Sequence, residues 1–363
     1  MKIFGAVFLG LLAACSSPGN QLESRDFNDL PSVGEISTGE QILLGGFSGL
    51  ACRNFDAAEQ EWVFFTLTDR GPNGDSNHQG RRPFLWPAFV PRIVEFGWSP
   101  KKRTLRLRRE LPMRTVQGKA LTGLPNLPTD EVPVDAAGKV LAIDPLGVDS
   151  EGIALGEHGT FWVSEEYRPA ILEFDAEGKL RSRWVPEGQL AKRYSETRAQ
   201  LPSSFSRRLP NRGFEGITIA GSMLYAFLQS PLDKTRHAPV LEFDLDHKRS
   251  VGVRSYAFQG RKADKIGDVA ALRDGSVLVL EQDGKSERAI FRWWPDGGAT
   301  QLVADLQVFP ELAALEKIEG LAVMDSRTLA LINDNDFGMA GPATSQFFVL
   351  KLAKALPAKT CGD

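Results

Sequence analysis

An acid-led pair of apolar strands returns four times in this chain of 363 residues, and that repetition limits the folds open to it. The copies begin "DSEGIAL" at 149, "GFEGITI" at 213, "IGDVAAL" at 266 and "KIEGLAV" at 317. Each sets an acid (Glu151, Glu215, Asp268 or Glu319) at the head of an apolar run. A turn and a second apolar run follow, ending in Glu165, Gln229, Glu281 or Asn333 at separations of 14, 14, 13 and 14 residues. A fifth copy, "GFSGLAC" from 46, carries Ser48 in the acid's place and ends its second run at Thr68-Asp69-Arg70. Two more strand-like stretches follow each of the first four units in chain order, for example "AILEFD" and "LRSRWV" after the copy at 149.

Four short antiparallel strands per unit, with successive acids 64, 53 and 51 residues apart, predict an all-β chain folded as a β-propeller. A sandwich or barrel also needs many short strands, but neither returns one chemical motif to the same place in every unit. Ser48 and Glu151 are 103 residues apart. Either a sixth blade lies within 113 to 148 or that stretch is a loop, which its prolines favour, so five or six four-stranded blades are expected. The final blade is expected to be shared by "EQILLGG" (40 to 46) and "QFFVLKL" (346 to 352), which removes the exposed edges.

The innermost strand of each blade lines the axis, so Glu151, Glu215, Asp268 and Glu319 are expected to converge there. Gly49, Gly152, Gly216 and Gly320 stand at matching places, where a missing side chain lets strands approach. Carboxylates brought so close need a cation, a basic partner, backbone N–H donors or protons. Hard oxygen donors suit Ca²⁺, and the four histidines (78, 158, 237 and 247) form no close ligand pair. The expected metal set is Glu151, Glu215, Asp268, Glu319 and Asp334, with a structural lock of backbone bonds as the alternative. Glu151, Glu215 and Glu165 are the candidate catalytic carboxylates. Arg70, Arg168 and Lys285 stand near the strand ends as candidates for an anionic substrate. The stretch 186 to 212 reads as a basic, helical insertion able to overhang the pocket.

Net charge is −3 with the basic residues scattered, which argues against nucleic acid as a partner. No G-x-S-x-G elbow, Walker A sequence, GxGxxG fingerprint or HExxH occurs. Hydrolysis, if present, would use a metal-activated water or positioned carboxylates.

At the N-terminus, Lys2 and an apolar run from Ile3 to Ala14 precede Cys15, too short a run to span a bilayer. Leu12-Ala13-Ala14-Cys15 resembles a bacterial lipobox. That implies a signal peptide over 1–14, lipidation of Cys15 and a place on the periplasmic face of the outer membrane, with the lipid as the sole membrane contact. Residues 15–35 are expected to be a polar tether, 36–355 one propeller domain, and 356–363 a tail. Cys52 and Cys361 then remain as a candidate disulfide, with two unpaired thiols as the alternative.

The segments "GGFSGL…FFTLTDRGPNG", "DSEGIAL…FWVSEEYRP", "NRGFEGI", "KIGDVAAL" and "KIEGLAV…LINDNDFG" resemble the bacterial phytase-like family described as esterase-like activity of phytase. The resemblance runs from about Gly45 to Leu352. It implies a propeller, a secreted or periplasmic protein and, much more weakly, a hydrolase of phosphoesters or carboxylic esters; a small anionic or ester substrate and a monomeric state are expected alongside. The histidine-phosphatase motif RHGxRxP is absent. A calcium-dependent lactonase and a non-enzymatic binding propeller at the outer membrane are the alternatives.

Overall fold

The computed structural model describes residues 19–36, 39–189, 194–339, 344–358 and 360–362. Cys15 and the expected signal segment lie outside the described residues. Five blades surround one axis. Blade one holds Phe47–Asp56, Glu61–Thr68, Arg92–Ser99 and Thr104–Pro112. Blade two holds Ser150–Leu155, Phe161–Glu165, Ala170–Phe174 and Leu180–Pro186. Blade three holds Phe214–Ala220, Met223–Leu228, His237–Asp244 and Arg249–Ala257; blade four holds Lys265–Ala271, Val277–Gln282, Arg288–Trp293 and Gln301–Asp305. Blade five holds Gly320–Asp325, Thr328–Ile332 and Gln346–Lys351, and its outermost strand is Gln21–Asp26 from the start of the chain.

The innermost strands touch in sequence, one to two through to five, and five meets one again. The glycines explain how closely. A Cβ on Gly152 would lie 2.5 Å from Glu215 O and 2.8 Å from Ile217 N of the next blade. Gly49 (φ +67°) would meet Glu151 O and Gly152 Cα at 2.8 Å. No side chain fits there, so the repeated glycine is a requirement of ring closure.

Each gap between blades is filled by its own apolar layer. Leu278, Leu280, Leu329 and Phe348 lie between blades four and five, and Phe64, Phe96, Ile332 and Phe347 between five and one. The other three interfaces are built alike. Strands buried on both faces explain why the inner runs are continuously apolar and not alternating.

The expectation of a sixth blade is not met. Residues 113 to 148 form loops whose one strand, Val132–Val134, pairs in parallel with Arg81–Pro83. The closing blade also differs from expectation. Gln41–Leu43 pairs with Ser32–Glu35 in a separate two-stranded sheet, and Gln21–Asp26 supplies the strand beside Gln346–Lys351. The expected tether over 15–35 therefore contains two strands. An outermost strand covers the core on one side only, so "QLESRD" can pair while remaining polar, with Leu22 packed on the apolar layer. Stretch 186 to 212 also departs from expectation: Thr197–Leu201 is a fifth strand parallel to Leu180–Pro186, followed by a short 3₁₀ turn.

Cys52, on the innermost strand of blade one, forms a disulfide with Cys361 of the C-terminal tail, at a Cα–Cα distance of 5.9 Å. The tail reaches it through Leu356 N to Ser326 O and Cys361 N to Met324 O, at 2.7 and 2.8 Å.

Candidate active site

In every blade the innermost strand begins where the second strand ends: Phe47 pairs with Thr68, Ser150 with Glu165, Phe214 with Leu228, Lys265 with Gln282, and Gly320 with Ile332. All the motif acids and second-strand polar residues are therefore delivered to one end of the axis. A cavity of about 680 Å³ opens there, lined by Glu151, Glu166, Glu215, Glu319, Asp69 and Asp334, with Arg70, Arg82, Arg212, Lys265 and Lys317 in the same wall. The opposite mouth holds a cavity of about 720 Å³ lined mostly by apolar strand ends and the disulfide, with no carboxylate among the described residues.

Two carboxylate groups stand at this cavity, one lining it through Glu151 and Glu166 with Asp149 fully buried beside them, the other through Asp69, Asp334 and Asp336. Asp149, Glu151 and Glu166, all buried, bring one oxygen each within 4.8 Å of one another, and so do Asp69, Asp334 and Asp336. Ser48 Oγ donates to Glu151 Oε2 at 2.7 Å, and Gln229 Nε2 donates to Glu215 Oε2 at 2.7 Å. Glu166 Oε1 makes no hydrogen bond among the described residues; Asp149 Oδ2 makes none either, its nearest cation being Arg70 Nη2 at 3.2 Å. A buried carboxylate oxygen without a donor is costly unless a cation or a proton occupies its lone pair. Burial, with Asp149 adding repulsion, pushes Glu166 up to about 8, and burial pushes Glu319 up to about 8 against the pull of Lys317. Burial and neighbouring carboxylates likewise hold Glu151 and Glu215 well above the ordinary range.

Arg70 is the hub of the cationic wall. Its Nη1 donates to Asn211 Oδ1 at 2.7 Å and Glu131 Oε1 at 3.2 Å, and its guanidinium lies 5.3 Å from the centre of the Tyr167 ring. Arg212 Nη1 stands 3.7 Å from Glu166 Oε1. Lys265 lines the same cavity and makes no ion pair among the described residues. Glu151, Glu215 and Lys265 thus come from innermost strands, Arg82 from the short strand Arg81–Pro83, and the other acids and bases of the cavity from the turns and loops beside them.

The family model described as phytase-like, esterase-like activity of phytase, matches residues 42–337. The chain belongs to this family. A relative from Arthroderma benhamiae, described as an uncharacterized secreted protein, is 28% identical over 310 residues, covering 68% of this chain and 60% of that protein. The match thus spans under two thirds of the relative's length. Among solved structures, Pseudomonas fluorescens PhoX in complex with vanadate matches with a TM-score of 0.45 and 10% identity, over 93% of this chain and 96% of its own. A luciferin-regenerating enzyme matches with a TM-score of 0.43 and 8% identity, over 87% and 97%. No activity is taken from either likeness.

In this phytase-like chain the structure brings Glu151, Glu215, Glu319, Asp334 and Arg70 together, and it separates four other residues expected at the site. Asp268 is a lock: its Oδ2 accepts Leu321 N at 2.7 Å and Leu50 N at 3.1 Å, and its Oδ1 accepts Val269 N at 2.8 Å. Its carboxylate ties blade four to blades five and one, and Asp268 does not line the cavity. Glu165 accepts N–H bonds from Tyr167, Arg168 and Asp149 at 2.9, 3.0 and 3.3 Å, which spends it on the turn that follows. Burial still pushes it up to about 7, against the pull of Arg183. Arg168 is buried behind that turn, donating to Asn126 O at 2.8 Å and not reaching the cavity. Lys285 is exposed on a turn capped by Asp283.

Glu281 also turns away, accepting Gln259 N and Gly260 N at 2.8 Å. Gln282, one residue on and 14 after Asp268, takes the place at the cavity. Asp149 and Glu166 are the carboxylates of the first group that the repeat alignment passes over. Asp149 stands two residues before Glu151, the spacing that puts both on one face of an extended chain.

Proposed function

We propose that this chain is an exported hydrolase of phosphoesters or carboxylic esters, working at the acidic end of its axis with one divalent cation. The observation that carries this reading is a three-carboxylate group beside a basic wall, in which Glu166 Oε1 and Asp149 Oδ2 are buried, make no hydrogen bond among the described residues and meet only guanidinium groups, at 3.7 and 3.2 Å. The donors fit a hard cation: all are carboxylate oxygens, with no imidazole or thiolate among them, which favours calcium over zinc. Asp149, Glu151 and Glu166 would hold it. A bound cation supplies positive charge that neutralises these carboxylates and polarises an ester oxygen.

The chain's own residues do the rest. Glu215, with Oε2 held by Gln229 and its proton affinity raised by burial and by Glu166 and Glu319, is the group suited to taking and returning a proton. Arg212 and Lys265 face the same space and bind the anionic part of a small substrate. Arg70 is a positioning residue that fixes Asp149 through its ion pair.

Lipidation of Cys15 and residence at the periplasmic face of the outer membrane belong to the same proposal. The support is the "LAAC" sequence, the Cys52–Cys361 disulfide suited to an oxidising compartment, and the secreted description of the Arthroderma relative. The protein is proposed to act as a monomer, without nucleic acid and with lipid as its membrane contact.

The test is hydrolysis of p-nitrophenyl phosphate, p-nitrophenyl butyrate and a γ-lactone by the purified protein, with calcium and with chelator. Calcium-dependent turnover of one class supports the reading and names the substrate. Calcium binding without turnover of any class would replace it with a binding propeller.

A further inference from the structure

In the second carboxylate group an ammonium makes hydrogen bonds to two of the three carboxylates, whereas the side chains of Asp149 and Glu166 in the first meet guanidinium groups at 3.2 to 3.7 Å. Lys317 Nζ lies 2.7 Å from Asp334 Oδ2 and 2.7 Å from Asp336 Oδ1. Asp69 completes the group, its carboxylate oxygen within 4.8 Å of those of Asp334 and Asp336. Lys317 enters from the chain leading into the innermost strand of blade five, two residues before Glu319. The segment that brings a carboxylate to the cavity thus brings a balancing charge with it.

An ammonium is a compact point charge with three donors, able to stand between carboxylates much as a small cation does. Burial disfavours that charge, yet Asp334, Glu319 and Asp336 outweigh the penalty and hold Lys317 well above the ordinary lysine range. The contrast with the first group is plain. There the buried oxygens of Glu166 and Asp149 lack donors, whereas here Asp334 and Asp336 have the ammonium.

We propose that Lys317 is a built-in cation that fills the Asp69, Asp334 and Asp336 group in place of a second metal ion. The cavity then takes one exchangeable divalent ion, at Asp149, Glu151 and Glu166, with a fixed positive charge on the opposite wall. The count of one rests on the function proposed above; the role of Lys317 does not. Removing the lysine leaves three carboxylates close together with only Arg70, beside Asp69, as counter-charge, which is a vacant site for a hard cation.

The test is calorimetric titration of the purified protein with calcium chloride, comparing wild type, Lys317→Ala and Asp336→Asn. Expected stoichiometries are one, two and one. Wild type at none and Lys317→Ala at one would keep the role of Lys317 and remove the first cation site, so the two ideas fail separately. Wild type at two, falling to one in Asp336→Asn, would overturn the inference. So would a folded Lys317→Ala protein that still takes the wild-type number. Should Lys317→Ala fail to fold, Asp336→Asn decides: retention of the wild-type count supports a group filled by the lysine, and loss of one ion overturns it.

Discussion

Gln229 Nε2 donates to Glu215 Oε2 at 2.7 Å, which fixes one carboxyl oxygen of blade three at the axis and leaves the other to the cavity. Gln229 stands at the end of the second strand and Glu215 at the start of the first, so the blade's own hairpin makes the contact. With Glu215 as the proton-transfer group and not a cation ligand, Glu215→Gln is expected to lower hydrolysis by about 10²- to 10⁴-fold. The calcium-dependent rise in melting temperature should survive. Initial rates and thermal melts on the same preparation check both halves.

Asp268 separates a lock from a ligand. Asp268→Asn leaves three backbone N–H donors around an amide with one acceptor oxygen, so destabilisation of about 1–3 kcal/mol is expected. Chemical denaturation should show that loss, while the stabilisation by calcium stays at the wild-type value. A reduced calcium effect would return Asp268 to the metal site.

The contrast between these two carboxylates shows how far the sequence could be read. Glu151, Glu215, Asp268 and Glu319 share one motif position, and the repeat brings all four toward the axis. Whether an oxygen meets an N–H or the cavity depends on small shifts of register, and four of the five inner hairpins carry such a shift near the motif acid or its Ser48 equivalent. That is why Glu281 was indistinguishable from Gln282, and Glu165 from Glu166, in the alternation of the strands. At a strand end the period of two stops, and the next residue's direction is set by the turn. The contributions of Arg82, Glu131 and Arg212, from outside the blades, have no repeat to announce them. Gln21–Asp26 was hidden for another reason, because an outermost strand needs little apolar content.

The acidic centre gives the metal-free protein a definite pH dependence. Glu165 is pushed up to about 7 and Glu166 and Glu319 to about 8, against an ordinary 4.5. A folded-state value above the unfolded one means that the native protein keeps protons which the unfolded chain has released. The associated stability is complete below about pH 4.5 and is lost as pH rises through 7 to 8. Melting temperature in chelator is therefore expected to fall across that window, and saturating calcium should flatten the fall. Melts at half-unit steps of pH test it; a rise in stability across the window would contradict the assignment.

The disulfide ties the tail to the opposite mouth and closes a loop of 309 residues in sequence separation. Cys361→Ser is expected to cost about 2–5 kcal/mol of stability by loosening the unfolded chain. Because the carboxylate cavity lies at the other end, hydrolysis below the melting temperature should be unchanged. Denaturation curves with and without reductant, beside initial rates, separate the two effects.

The most direct measurement is the melting temperature of wild type and Glu166→Gln with excess calcium and with chelator. At calcium a hundredfold above its Kd, linkage gives about 2.7 kcal/mol of added stability, a shift of a few degrees. The expected result is that shift in wild type and its loss in Glu166→Gln. Equal melting in calcium and chelator for wild type, or an undiminished shift in the variant, would contradict a cation held by Asp149, Glu151 and Glu166.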